Sequence, residues 1–236
     1  ACSKEIDYAK RTLKDLELIS GVHSTQIGTA MSEILRTMDK VSLVNQKGFL
    51  ILIQILSLKI YDEKSKENSN EFLQFYITKD EQNYKELSGE SLQNFIKRIK
   101  SIMDKASGNY RRILKEKELD FKNENHIKVL ISIVKQFQDY SFVKSYKTDL
   151  YQLIFYRFAS QFAKDSNAQF ITPLPIIDFL VNIINPRNGE TVIDPTVGIA
   201  DFLSISYVNS NSKLDDNNIF GLDIDTQMVN LATLNM

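Results

Sequence analysis

The chain has no tryptophan, a single cysteine (Cys2) and only two histidines, His23 and His126. One thiol permits no internal disulfide. One cysteine with two distant histidines cannot assemble a zinc centre or a cysteine–histidine nucleophile, so no metal is expected. Proline is absent until Pro173; all four prolines, Pro173, Pro175, Pro186 and Pro195, then fall within one short stretch. A bilayer-length apolar run is also missing. The longest, "FLILIQILSLKI" at 49–60, contains Gln54 and Lys59 and falls well short of the roughly 20 residues that span a membrane. It predicts a buried core helix, and no membrane association is expected. The N-terminus, "ACSKEIDYAKR", is charged and amphipathic without the apolar stretch of a signal peptide, which points to the cytoplasm. Net charge is only −1, but it conceals a division. Residues 1–165 hold 27 Lys/Arg against 22 Asp/Glu, whereas 166–236 hold 2 against 8. The charge shift and the onset of proline together predict two domains, 1–165 and 166–236.

The first part carries helical periodicity. Ile127, Leu130, Ile131, Val134 and Phe137 recur at helical spacing, as do Leu150, Ile154, Phe155 and Phe158, so each segment presents an apolar stripe to a core. The one early strand candidate is "FLQFYIT" at 72–78. Residues 97–117 hold eight basic and two acidic residues, with Tyr110 beside Arg111 and Arg112. Such a run either meets a nucleic-acid backbone or is a solvated helical face, and the second reading is favoured because charged helical faces are common. His23 and His126 are read as structural, and Cys2 as an exposed terminal residue.

The second part follows another order. Thr172 is placed as N-cap with Pro173 at the first helical position; Ile176, Ile177, Leu180 and Ile184 then share a face until Asn185-Pro186 stops the helix. Thr191 to Ile193 form a β-branched strand ending at Asp194, a helix starts near Ala200, and "IFGLD" gives a second strand before a helix through Met228, Leu231 and Ala232. Helix, strand, helix, strand, helix is the opening of a doubly wound parallel sheet.

Ligands of such sheets bind beyond the carboxyl ends of the strands, where the first strand-to-helix turn offers backbone N–H groups. Here that turn is "DPTVGIAD", with Gly198 as its only glycine. A dinucleotide site needs G-x-G-x-x-G for close approach to a pyrophosphate, so NAD and FAD are disfavoured. A cofactor without a diphosphate, such as S-adenosylmethionine, asks for one close backbone approach and an acid after the second strand to accept the ribose hydroxyls. Asp223 stands at that position.

Four segments carry a resemblance: "QFITP" (169–173), "DPTVGIADFL" (194–203), "GLDID" (221–225) and "LATLNM" (231–236). In this order and spacing they resemble the start of the methylase domain of N6-adenine DNA methyltransferases, most of all the modification (M) subunit of type I restriction-modification systems. That family carries an "FYTP"-like segment before the first helix, a "DPaxGtgxFL"-like loop, an acid after the second strand and "mN" in the next helix. Upstream, "DLYQLIFYRFA" (149–159) and "FLILIQILSL" (49–58) look like the helical N-terminal domain of these subunits.

The resemblance implies a mainly α fold. An N-terminal helical domain that clamps DNA or contacts partners would be followed by the first βαβ part of a Rossmann-like class I S-adenosylmethionine-dependent methyltransferase domain. By position, Gln169, Phe170, Ile171, Thr172, Pro173 and Leu174 would flank the cofactor. Asp194, Gly198, Ile199, Ala200 and Asp201 would form the loop beneath it, and Asp223 would hold its ribose. Ile171 departs from the usual aromatic, Ala200 from a frequent glycine, and Asp201 from a small residue. An alanine for glycine is tolerable at negative φ and costly at positive φ. The family's catalytic "NPPF"-like segment does not occur in these 236 residues; the expectation is an N-terminal fragment, itself inactive, of a subunit that methylates adenine N6. Implied partners are DNA, a specificity (S) subunit and, in restricting complexes, a restriction (R) subunit. The alternative is a non-catalytic binding or assembly module with a vestigial methyltransferase fold; an RNA or protein methyltransferase also remains open.

Overall fold

A computed structural model describes residues 7–19, 25–145, 154, 172–210 and 214–236. The chain divides into two compact units, Ala1–Thr148 and Asp149–Met236, a division earlier than the 165/166 position expected from charge and proline. His23, Cys2 and most of the stripe from Leu150 to Phe158 lie outside the described residues; of that stripe Ile154 is described, helical and buried.

The first unit is helical: α1 (Thr25–Asp39), α2 (Gln46–Lys64), α3 (Glu90–Ala106), the single turn α4 (Arg111–Leu114) and α5 (Glu124–Phe137). The apolar run folds as expected, inside α2. Phe49, Ile51, Leu52, Ile53, Ile55, Leu56, Leu58 and Ile60 are all buried, so the helix is apolar around its circumference and occupies the centre. It contacts α3, α4 and α5, while α1 lies along α5. The predicted stripe from Ile127 to Phe137 is the buried face of α5. No helix of the described residues is long and apolar enough to cross a membrane.

Several polar residues of α2 are buried as well, among them Gln54, Lys59, Asp62 and Glu63. Gln54 reaches across to the helix-end carbonyls of Ile113 and Glu116 and accepts from the Leu119 N–H. Lys59, Asp62, Glu63 and Lys66 form two ion pairs spaced i, i+4. Each acid also accepts hydrogen bonds from distant backbone: Asp62 from the N–H groups of Gln74 and Phe75, and Glu63 from those of Phe142 and Val143.

These anchors explain why "FLQFYIT" is not a strand. Its burial alternates, with Leu73, Phe75 and Ile77 inside, but its backbone joins no strand ladder: the Leu73 N–H donates to the Arg11 carbonyl at 2.7 Å, and most of the other N–H groups go to side chains. Asp62 takes two N–H groups, Gln138 takes that of Ile77 and Glu81 that of Thr78. Extended backbone thus lies on the helices, paired with no strand among the described residues. The strand pair of this unit is elsewhere: β1 (Glu17–Leu18) pairs in parallel with β2 (Tyr140–Ser141). Around it, residues 7–19 clasp 139–145 through Arg11 to Asp139, Lys144 to the Leu13 carbonyl, and the Ile19 N–H to Ser145 Oγ.

The basic run divides on α3 and α4. Lys97, Lys100, Lys105, Arg111, Arg112, Lys115 and Lys117 are exposed, as a solvated face requires. Arg98 is consumed internally, forked onto Glu81 at 3.0 and 2.9 Å and stacked 3.8 Å over Tyr76. Tyr110 is buried, and burial pushes its hydroxyl up to about 12; it offers no ring for base stacking. His126 is structural. It is buried with Nδ1 accepting the Asp120 N–H at 3.0 Å, and desolvation, helped by the charge of Lys47, pushes its pKa down.

The second unit runs α6 (Leu174–Ile184), β3 (Val192–Asp194), α7 (Asp201–Asn209), β4 (Ile219–Gly221) and α8 (Thr226–Asn235). The order is the predicted one, and β3 and β4 pair in parallel with Asp194 opposite Gly221. Two details shift. The N-cap of α6 is Pro173 rather than Thr172, and Pro175 occupies the first turn, where a missing N–H costs nothing. At the other end Asn185 adopts the left-handed cap (φ 47°) and the helix stops. Val192 and Ile219 turn one sheet face onto Val197, Ala200, Leu203 and Ala232. Their neighbours Ile193 and Phe220, paired in register on the opposite face, are exposed.

Candidate functional site

The two parallel strands end side by side, and the loop 195–200 crosses their ends before α7 begins. Backbone bonds knit it to the turn after β4: Leu222 donates to the Asp194 carbonyl at 2.9 Å and Val197 to the Leu222 carbonyl at 2.8 Å. Close approach depends on Gly221. A Cβ built there would lie 2.7 Å from Cγ2 of Val197 and 3.2 Å from Leu203, closer than van der Waals contact allows. Gly221 therefore lets the loop settle on the second strand.

Within the loop, Asp194 Oδ1 accepts the Thr196 N–H at 3.0 Å, forming an Asx turn around Pro195. Gly198 has φ +52° and Ala200 φ +67°. Glycine adopts this region freely, whereas alanine crowds its Cβ against the following carbonyl. The sign left open by the sequence is thus positive, and the alanine is strained. Ala200 is also buried, in the cluster with Val197 and Leu203. Ala200→Gly is expected to stabilise the protein by roughly 0.5–1 kcal/mol, because the relief of left-handed strain exceeds the added flexibility of the unfolded chain. A thermal melt measures it; a lowered midpoint would count against a strained loop.

Asp223 faces this loop. Its Oδ2 accepts the Gly198 N–H at 2.9 Å and its Oδ1 the Asp225 N–H at 2.9 Å. Asp225 in turn caps α8 through the Gln227 N–H at 2.8 Å. The acid after the second strand and the glycine of the first loop are therefore in direct contact, although 25 residues separate them. Asp201 opens α7, where a negative charge complements the helix N-terminus. Its carboxylate also accepts from Asn235 Nδ2 at 3.0 Å, and the same amide nitrogen donates to the Ile199 carbonyl at 2.8 Å.

The structure therefore gathers Asp194, Gly198, Ile199, Ala200, Asp201 and Asp223. Leu174 opens α6 and packs with Phe202 on the cluster of Ile177, Val181 and Ile205, which sets the start of α6 beside α7. Phe202 is thus a packing aromatic. Thr172 and Pro173 precede that helix, and Gln169, Phe170 and Ile171 lie outside the described residues. Asn235 and Gly221 were not singled out as individual residues in the sequence; the only signal was their place in "LATLNM" and "GLDID". An open groove of about 690 Å³ between α6, β3 and α7 is a different surface. Of the expected site residues that are described, only Asp194 borders it, and its walls are largely apolar, with Val181, Ile184 and Phe202 among them. The loop, with the carboxylates of Asp194, Asp201 and Asp223 gathered around it, is the better candidate for a polar ligand.

Comparison with known proteins bears on this same region. Residues 144–236 match the N-6 DNA methylase family. The methylase subunits of the type I restriction enzymes EcoKI of Escherichia coli K12 and StySJI of Salmonella typhimurium LT2 are each 35% identical over 82 residues. Each alignment takes in 34% of this chain but only 14% of the relative. The likeness read from "QFITP", "DPTVGIADFL", "GLDID" and "LATLNM" is borne out: residues 144–236 match the N-6 DNA methylase family, and the chain is similar in part to type I methylase subunits.

Proposed function

We propose that the second unit is the first part of a Rossmann-like class I methyltransferase domain and that its loop binds S-adenosylmethionine. The observation that carries this reading is the 2.9 Å contact between the Gly198 N–H and Asp223. It fixes a glycine loop and a carboxylate together at the ends of adjacent parallel strands, the place where such sheets take ligands. Each Asp223 oxygen accepts one backbone N–H and keeps a further lone pair, so the carboxylate has the capacity to accept both hydroxyls of a ribose. Asp194, Gly198, Ile199, Ala200 and Asp201 would form the floor of the site, with Gln169 to Leu174 along its side. When bound, the cofactor supplies an electrophilic methyl on a sulfonium.

The protein containing this unit is then the modification subunit of a type I restriction-modification system, methylating N6 of an adenine extruded from DNA. Its partners would be DNA, a specificity subunit and, in restricting complexes, a restriction subunit. Residues 1–165 would form the helical domain that contacts DNA or those partners, and the cell compartment would be the cytoplasm. The strained Ala200 favours a second reading, a non-catalytic assembly module whose loop has lost its ligand.

Calorimetric titration with S-adenosylmethionine separates the two. Binding is expected, and Asp223→Ala should weaken it by at least tenfold, since two hydrogen bonds to a charged acceptor are lost. No heat of binding, or an affinity indifferent to Asp223, would leave the assembly module as the surviving reading.

A further inference from the structure

We infer that Asn235, at the end of α8, is a positioning residue for the loop. Its side-chain NH₂ spans the left-handed residue Ala200, donating to the Ile199 carbonyl on one side at 2.8 Å and to the Asp201 carboxylate on the other at 3.0 Å. An amide suits this position because it offers two donors on one nitrogen and brings no charge. Aspartate has nearly the same shape but would turn acceptors toward two acceptors, and leucine would offer neither donor. Ala200 also closes a turn onto the Val197 carbonyl at 2.8 Å, and its own carbonyl accepts the Ser204 N–H that starts α7.

The loop is consequently held from both ends. Asp223 fixes the amide of Gly198, and Asn235 fixes the carbonyl of Ile199. Between them the two bonds set the orientation of the 197–198 and 199–200 peptide groups, and a flipped 199–200 peptide would abandon the Asn235 bond. With glycine at 200 such a brace would be dispensable, because the left-handed region costs glycine nothing. With alanine there, the brace keeps the loop in one conformation before a ligand arrives. The consequence for ligand affinity rests on the cofactor reading above; the consequence for the loop itself does not.

Two measurements on the whole protein test this. Amide hydrogen exchange without ligand should show faster exchange at Ala200 and Ser204 in Asn235→Asp, with protection regained when Ala200→Gly is added. Titration with S-adenosylmethionine should show about tenfold weaker binding in Asn235→Asp, the loss expected for one hydrogen bond to a charged group, and recovery in the double variant. Asn235→Gln keeps the amide but displaces it by one methylene; it should behave like Asn235→Asp and serves if that variant fails to fold. If the wild type does not bind the cofactor while exchange responds as stated, the cofactor reading falls and the positioning role stands. If exchange rises along α8 but not at Ala200, or if Ala200→Gly rescues nothing, Asn235 only stabilises its own helix and the inference is overturned.

Discussion

Glu63→Ala is expected to cost the first unit about 3–5 kcal/mol, the loss typical when one partner of a buried ion pair is removed. Glu63 is fully buried, and its carboxylate receives four donors: Lys59 Nζ at 3.0 Å, Ser141 Oγ at 2.7 Å and the N–H groups of Phe142 and Val143 at 3.2 and 3.1 Å. Truncation leaves the Lys59 ammonium, 1% exposed, without its counter-charge and strands two backbone donors. Because whole domains are stable by only about 5–15 kcal/mol, the variant should unfold at a much lower urea concentration. With no tryptophan in the chain, tyrosine fluorescence and far-ultraviolet dichroism are the probes. Lys59→Met added to Glu63→Gln should lose less than Glu63→Gln alone, since no charge then remains unpaired. A single-variant loss below about 1 kcal/mol, the size seen for exposed pairs, would show that water reaches the site.

Gly48→Ala should destabilise by about 3 kcal/mol or more, at the upper end of overpacking effects. The sign is the informative part. In an open helix the same change gains about 1 kcal/mol from propensity. Here, in the first turn of α2, an added Cβ would collide with the backbone carbonyl of Leu43 and approach Cε of Met38 to 2.9 Å. The methionine end can swing aside, but the carbonyl belongs to the turn that joins α1 to α2, where the Leu43 N–H is already bonded to the Met38 carbonyl. Relief therefore requires the helix start to move, breaking the cap in which Asn45 accepts the Gly48 N–H at 3.0 Å. Gly108→Ala is the control. Nothing lies within 4 Å of its built Cβ, so its melting midpoint should hardly move, and equal losses at both positions would refute the steric account.

Some of this was readable beforehand because one variable decided it. An uninterrupted apolar run could only be buried, and α2 followed; five apolar residues at helical spacing gave α5. The second unit was legible because breakers and β-branched residues alternate there, so each turn is marked. "FLQFYIT" misled for a definite reason. Alternation says which side chains are buried, but not what pairs with the backbone, and the carboxylates of Asp62 in α2 and of Glu81, with the Gln138 amide, took the place of a strand. The Asp62 carboxylate was invisible, since charged residues after an apolar run read as the wet end of a helix. At the candidate site, residue types told that the sign of φ at Ala200 mattered but not which sign it had. Asn235 offered even less, because the value of an amide lies in what it faces across the fold.

The clasp between residues 7–19 and 139–145 gives the first unit a timetable. A chain grows from its N-terminus, so Leu13, Leu16 and Ile19, all buried in the finished unit, leave the ribosome long before Tyr140 and Ser141 exist to pair with Glu17 and Leu18. Closing so long a loop costs little more entropy than a shorter one, because the penalty grows only logarithmically, but it cannot happen early. Until then the α2 carboxylate of Glu63 waits for the donors of 141–143. The earlier-made half of the clasp is therefore among the last parts of the unit to be locked in place.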